Sequence, residues 1–132
     1  EMSAHHYFRD FAYCDSGMIP WMLIAELVSR SGRSLGDWVK DRFVAFPSSG
    51  EVNFKVADAG KAIENVLLAY RAAALSIDKT DGVSLAFDDW RFNLRRSNTE
   101  PLVRLNIESR GGSEGLPEKI ADISSLLGGT AA

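Results

Sequence analysis

The 132 residues are enough for one ordinary domain that buries about two-thirds of its unfolded surface. Hydrophobic residues at 45% and charged residues at 25% exclude a disordered or fibrous chain, and a formal charge of -3 argues against nucleic acid, which needs a basic surface. Cys14 is the single cysteine, which excludes an internal disulfide and a thiolate zinc cluster.

The apolar stretch from Met18 to Ala25 is far shorter than the roughly 20 residues that span a bilayer, and it contains Pro20. With no basic-then-apolar leader either, the expectation is a cytoplasmic chain without a membrane or nucleic-acid partner. No methionine stands at Glu1, and a domain cut from a longer protein is the favoured reading of that start.

Residues 1–15 have no clean period and read as an ordered loop or an irregular strand. Asp15, Ser16 and Gly17 punctuate the chain before a helix, with Pro20 in its first turn and a stripe of Ile19, Met22, Leu23, Leu27 and Val28 that ends near Gly32. A second, short helix fits Leu35 to Phe43, where Ser34 and Asp37 approximate a capping box. Pro47, Ser48, Ser49 and Gly50 form the clearest break.

Beyond it, Val52, Phe54 and Val56 alternate as in a strand with one buried face. Asp58 can cap a long helix whose apolar face collects Ala59, Ala62, Ile63, Val66, Leu67, Tyr70, Ala73 and Ala74. Asp81 and Gly82 mark a tight turn. Three alternating stretches follow, built on Val83, Leu85 and Phe87, on Trp90, Phe92 and Leu94, and on Val103, Leu105 and Ile107. Ile120, Ile123 and Leu127 give a last helix closed by Gly128 and Gly129. Together these predict an α+β fold, a mainly antiparallel four-stranded sheet covered by helices. Residues 1–46 are then the helical tail of a neighbouring domain and 47–132 the domain proper.

The stretch Arg95, Arg96, Ser97, Asn98, Thr99, Glu100 and Pro101 gathers guanidinium donors, two hydroxyls, an amide and backbone N–H groups between two strands. That inventory suits phosphate oxygens. The same residues are ordinary turn formers that satisfy their own backbone, and from composition alone the turn reading is favoured. Trp21, Trp38 and Trp90 read as packing groups, Met18 and Met22 as helical core, and Cys14 as a quiet apolar side chain. His5 and His6 support incidental metal affinity at most, and Asp88 with Asp89 reads as a turn and not a cation cage. Tyr7, Phe8, Phe11 and Tyr13 are candidates for an exposed aromatic patch.

The run from Arg95 to Pro101 resembles the phosphate-binding loop of the last domain of the alpha-D-phosphohexomutases, the phosphomannomutase and phosphoglucomutase family. The opening Glu1, Met2, Ser3, Ala4, His5 resembles the sugar-recognition loop of that family's third domain, and Asp15, Ser16 and Gly17 also fit its pattern. The resemblance implies that Arg95, Ser97, Asn98 and Thr99 bind the phosphate that is not being transferred. It implies that Glu1 and Ser3 bind sugar hydroxyls and that His5 has a proton-handling role. Arg96 stands at the variable position of the motif.

It further implies a mutase that moves a phosphoryl group between O1 and O6 of mannose or glucose, through a phosphoserine and a hexose 1,6-bisphosphate. Magnesium supports that transfer in the full-length family. Neither the donor-serine motif nor the aspartate-rich magnesium loop occurs in these residues, so Mg2+ is expected outside them and the chain alone is expected to be inactive. Its partners would be a phosphorylated hexose and the N-terminal domains of a parent chain. The rival reading is a stand-alone anion- or protein-binding module; a donor-serine motif upstream in the reading frame would decide against it.

Overall fold

The periodicities of the sequence resolve, in a computed structural model that describes residues 5–97 and 100–132, into two compact units, Glu1–Arg42 and Phe43–Ala132. In the first, β1 (Tyr7–Phe8) pairs antiparallel with β2 (Cys14–Asp15) across a short 3-10 turn, Arg9–Phe11. From Tyr7 to Asp15 the opening run is therefore a tight hairpin. Ala12 and Tyr13 complete it at φ 53° and 56°, left-handed conformations that non-glycine residues adopt at a cost of about 1 to 2 kcal/mol each.

Helix α1 (Met18–Ser31) begins where the Ser16 hydroxyl accepts the Ile19 N–H at 3.3 Å, with Pro20 in the first turn as expected. It ends at Gly32, whose N–H donates to the Val28 carbonyl. Helix α2 (Leu35–Ala45) opens with the Ser34 hydroxyl accepting the Asp37 N–H at 3.1 Å and donating to the Asp37 carboxylate at 2.8 Å. The acid thus closes on the serine hydroxyl and not on its backbone N–H.

The stripe on α1 departs from expectation. Met18, Trp21, Met22 and Leu23 are all more than half exposed, because no described residue of this unit packs over them. Trp38 is partly buried, its indole N–H on the Ser31 hydroxyl at 3.3 Å and the Arg33 guanidinium over its ring. Cys14 is exposed as well, and so are Tyr7, Phe11 and Tyr13.

The second unit buries its apolar side chains. Its sheet contains β3 (Ser48–Lys55), β4 (Ser76–Asp78), β5 (Val83–Ala86), β6 (Trp90–Arg96), β7 (Leu102–Ser109) and β8 (Thr130–Ala131). They run in the order β4-β5-β6-β7-β3-β8, every pairing antiparallel. The four longer strands are those the alternation predicts. The two edge strands are too short to show a period, so a four-stranded sheet becomes six-stranded. The break expected at Pro47 to Gly50 is also corrected: β3 already begins at Ser48 and absorbs Gly50, at φ 64°, in a register shift between Ser48 and Glu51.

Helices α3 (Ala59–Tyr70) and α4 (Leu116–Leu127) pack on each other and over one sheet face. Asp58 caps α3 as predicted, accepting the Lys61 N–H at 3.0 Å. The helix stops at Tyr70, short of Ala73 and Ala74, because the chain must turn to pair with β5, where the Leu75 N–H bonds the Ala86 carbonyl at 2.8 Å. Ala62 and Val66 from α3, Leu116, Ile123 and Leu127 from α4, and Phe54, Leu85, Phe92, Leu94, Val103, Leu105 and Ile107 from the strands make one buried core. Each such large side chain contributes roughly 1.5 to 3 kcal/mol by leaving water. Trp90 packs as predicted, stacked on Phe87 at 4.4 Å between ring centroids.

Candidate functional site

The alternation that sends Phe92 and Leu94 of β6 into the core sends Arg91, Asn93 and Arg95 to the opposite face. Arg95 stands directly across from Arg104 of β7, two like charges in register. Such a pair is destabilising by itself. Glu51 of β3 offsets it, with its carboxylate 3.7 Å from the Arg95 guanidinium and 3.6 Å from that of Arg104. The Arg95 side chain is only 16% exposed, so this ion pair is screened less than a surface one. Beside it, the Arg104 Nε, Asn53 Oδ1 and Asn106 Oδ1 are enclosed on the same polar face with no hydrogen-bond partner among the described residues.

Behind Arg95 the turn at Gly82 presses against β6. A Cβ on Gly82 would lie 2.3 Å from the Leu94 carbonyl oxygen and 2.7 Å from the Arg95 Cβ, at a φ of +70°. Asn93 ties that turn down, donating to the Asp81 carbonyl at 2.8 Å and to the Ser84 hydroxyl at 2.9 Å. Neither Glu51 nor the Gly82 contact is legible as site structure in the sequence. Both arise from pairing between distant segments, and the only local signal was the turn at Gly82.

The loop after β6 is closed by the Ser97 N–H on the Leu102 carbonyl at 2.8 Å, and the Leu102 N–H returns to the Glu100 carbonyl at 2.8 Å. Ser97 is buried, and its hydroxyl accepts the Glu100 N–H at 3.3 Å. It therefore does the work of a turn residue, and since a hydroxyl both accepts and donates, that duty is compatible with a ligand contact. Asn98 and Thr99 lie outside the described residues. Arg96 is exposed. A separate cleft of about 350 Å³, lined in part by Phe87, Trp90, Arg91 and Arg110, sits at the other end of β6 and lies away from this loop.

In the first unit, the His5 Nδ1 is 2.5 Å from the Asp15 Oδ2, while the other carboxylate oxygen accepts the His6 N–H at 3.1 Å. The hydrogen bond from His5 holds the Asp15 carboxyl below its ordinary range, so it is ionised at neutral pH. Glu1 and Ser3 lie outside the described residues. For magnesium, the donor set does not fit: among the described residues no three acidic, histidine or cysteine side chains converge, and Asp88 and Asp89 stand in the bend between β5 and β6. None of the described helices is long and apolar enough to cross a membrane.

Two family models match successive parts of the chain. Residues 51–123 match the phosphoglucomutase/phosphomannomutase C-terminal domain, and residues 1–46 match alpha/beta/alpha domain III of the same family. A phosphomannomutase of Escherichia coli (strain K12) is 64% identical over 127 residues, which is 96% of this chain and 28% of that protein. A protein of Xanthomonas campestris pv. campestris (strain B100) described as phosphohexose mutases is 60% identical over 98% of this chain and 29% of its own length. The chain thus spans less than a third of the curated relatives it matches. A solved phosphoglucomutase/phosphomannomutase family protein from Burkholderia thailandensis, 22% identical, shares the fold with a TM-score of 0.63 over 99% of this chain and 29% of that one. With an antiparallel sheet under two helices and a polar loop at the end of β6, the chain belongs to the phosphoglucomutase/phosphomannomutase family, as its C-terminal domain joined to a part of domain III.

Proposed function

We propose that this chain is the substrate-recognition part of a phosphohexomutase that interconverts hexose 6-phosphate and hexose 1-phosphate, with mannose or glucose as the sugar. The observation that carries the proposal is Arg95, a half-buried guanidinium anchored by Glu51 at the end of a strand whose loop is closed by Ser97. Arg95, Ser97, Asn98 and Thr99 grip the phosphate that stays, and Glu1 and Ser3 accept or donate hydrogen bonds to sugar hydroxyls. His5 exchanges the proton of the hydroxyl that gains or loses the phosphoryl group. Phosphoryl transfer depends mainly on positioning and charge stabilisation, so an anchor that takes either phosphate in turn is a working part of the cycle.

The donor serine and the magnesium-binding aspartates belong to the rest of such an enzyme, so the phosphoserine that forms the 1,6-bisphosphate lies outside this chain. When bound there, magnesium would stabilise charge on the transferring group. The chain alone therefore holds substrate without turning it over.

Titration of the 15N-labelled chain with mannose 6-phosphate tests the anchor. Amide shifts are expected to concentrate at Arg95, Ser97, Asn98 and Thr99. Arg95→Ala should weaken binding about 10- to 100-fold, the equivalent of a charge-assisted hydrogen bond of roughly 1.5 to 3 kcal/mol. An unchanged affinity in Arg95→Ala, with the spectrum of the fold intact, would remove the assignment.

A further inference from the structure

We infer that Asp15 is the positioning residue of His5, an inference that rests on the proton-handling role proposed for His5. The hairpin is built to bring them together. Tyr7 and Asp15 are register partners, and the Ser16 N–H continues the ladder to the His6 carbonyl at 3.1 Å. The Asp15 backbone is thereby fixed between the hairpin and the Ser16 cap of α1. Its carboxylate is fixed as well, one oxygen on the His6 N–H and the other on the His5 ring. The sharp return that permits this register runs through Ala12 and Tyr13, two consecutive residues in the left-handed region. Backbone strain of that kind persists where the surroundings over-determine it, and here it lies in the turn that joins His5 to its carboxylate.

A carboxylate only accepts hydrogen bonds, so Nδ1 of His5 must carry the hydrogen at this contact. In the neutral ring Nε2 is then the basic nitrogen. When Nε2 takes the proton of a sugar hydroxyl, that oxygen bonds to the phosphorus of the donor phosphoserine as the phosphorus–serine oxygen bond breaks, and the positive charge on the ring is met by Asp15. When the phosphoryl group returns to the serine, the bond between phosphorus and a sugar oxygen breaks, Nε2 gives its proton to that oxygen, and the neutral ring is again in the Nδ1–H form. Asp15 itself stays ionised throughout, in keeping with its depressed carboxyl. The residue thus sets which nitrogen meets the substrate and leaves the proton transfer to His5.

The test combines a tautomer measurement with turnover. In the 15N-histidine-labelled chain, long-range 1H–15N correlation should find neutral His5 in the Nδ1–H form. Asp15→Asn keeps an acceptor for the His6 N–H, and so the hairpin, but should move His5 toward the Nε2–H form that free imidazole side chains favour. An unchanged tautomer in Asp15→Asn overturns the inference. In the full-length mutase carrying this chain, Asp15→Asn should lower kcat about 10- to 100-fold with KM within about twofold, and Asp15→Glu should restore part of the loss. A changed tautomer with unchanged kcat contradicts the proton role of His5, the reading beneath, and leaves the phosphate-anchor titration to stand or fall separately.

Discussion

The units Glu1–Arg42 and Phe43–Ala132 have similar sequence patterning and opposite fates. In the first, a 14-residue helix carries a clear apolar stripe, yet no described residue of this unit is buried. In the second, stripes of the same kind on α3 and α4 close over a sheet and bury Val66 and Ile123 completely. The difference lies in what each unit offers as a second layer. A helix hides one stripe only if another element presents an apolar surface to it, and β1 and β2, at two residues each, present none. Amphipathic patterning specifies a helix; it does not supply the partner. Residues 1–46 match a domain described as alpha/beta/alpha, an architecture in which helices lie against a sheet.

This contrast can be broken most forcefully in the core. Phe92→Ala removes a ring that is 1% exposed and should destabilise the second unit by about 3 to 5 kcal/mol in urea unfolding. Leu23→Ala, at a residue of α1 that is 55% exposed, should change stability by no more than about 0.5 kcal/mol. Comparable losses from the two would show that the stripe on α1 is covered after all. A smaller effect sharpens the link between core and site. Gly82→Ala combines a left-handed φ with a Cβ inside the contact distance of Leu94 and Arg95, and should cost about 1 to 3 kcal/mol. Its amide shifts should spread along β6 to Arg95, and a response confined to the Asp81–Gly82 turn would contradict the proposed support of the anchor.

Much of the fold was legible because the longer elements announce themselves locally. Phe92 and Leu94 alternate with Asn93 and Arg95, Asp58 stands where an N-cap should, and Gly32 and Gly128 end their helices. Strands β4 and β8 were not legible, since two or three residues carry no period, and their pairing with Ser84 to Ala86 and with Phe54 and Lys55 comes from the finished sheet. The site divides in the same way. Arg95 and Ser97 could be picked out from residue chemistry and resemblance. Glu51, 44 positions before Arg95 in the chain, could not, because only the β3–β7–β6 order brings its carboxylate to the two arginines. Asp15 is legible in the sequence as part of a pattern, but its contact with His5 depends on a hairpin register that composition does not encode.

The polar loop after β6 is mounted on a unit with its own core, while α1 and the hairpin have none among the described residues. Amide hydrogen exchange on the intact 132-residue chain tests it most directly. Strands β3, β6 and β7 and helices α3 and α4 are expected to exchange only through unfolding of the whole second unit, and α1 by local opening, about as fast as an isolated helix of 14 residues that is marginal in water. Equal protection of α1 and β7 would contradict it.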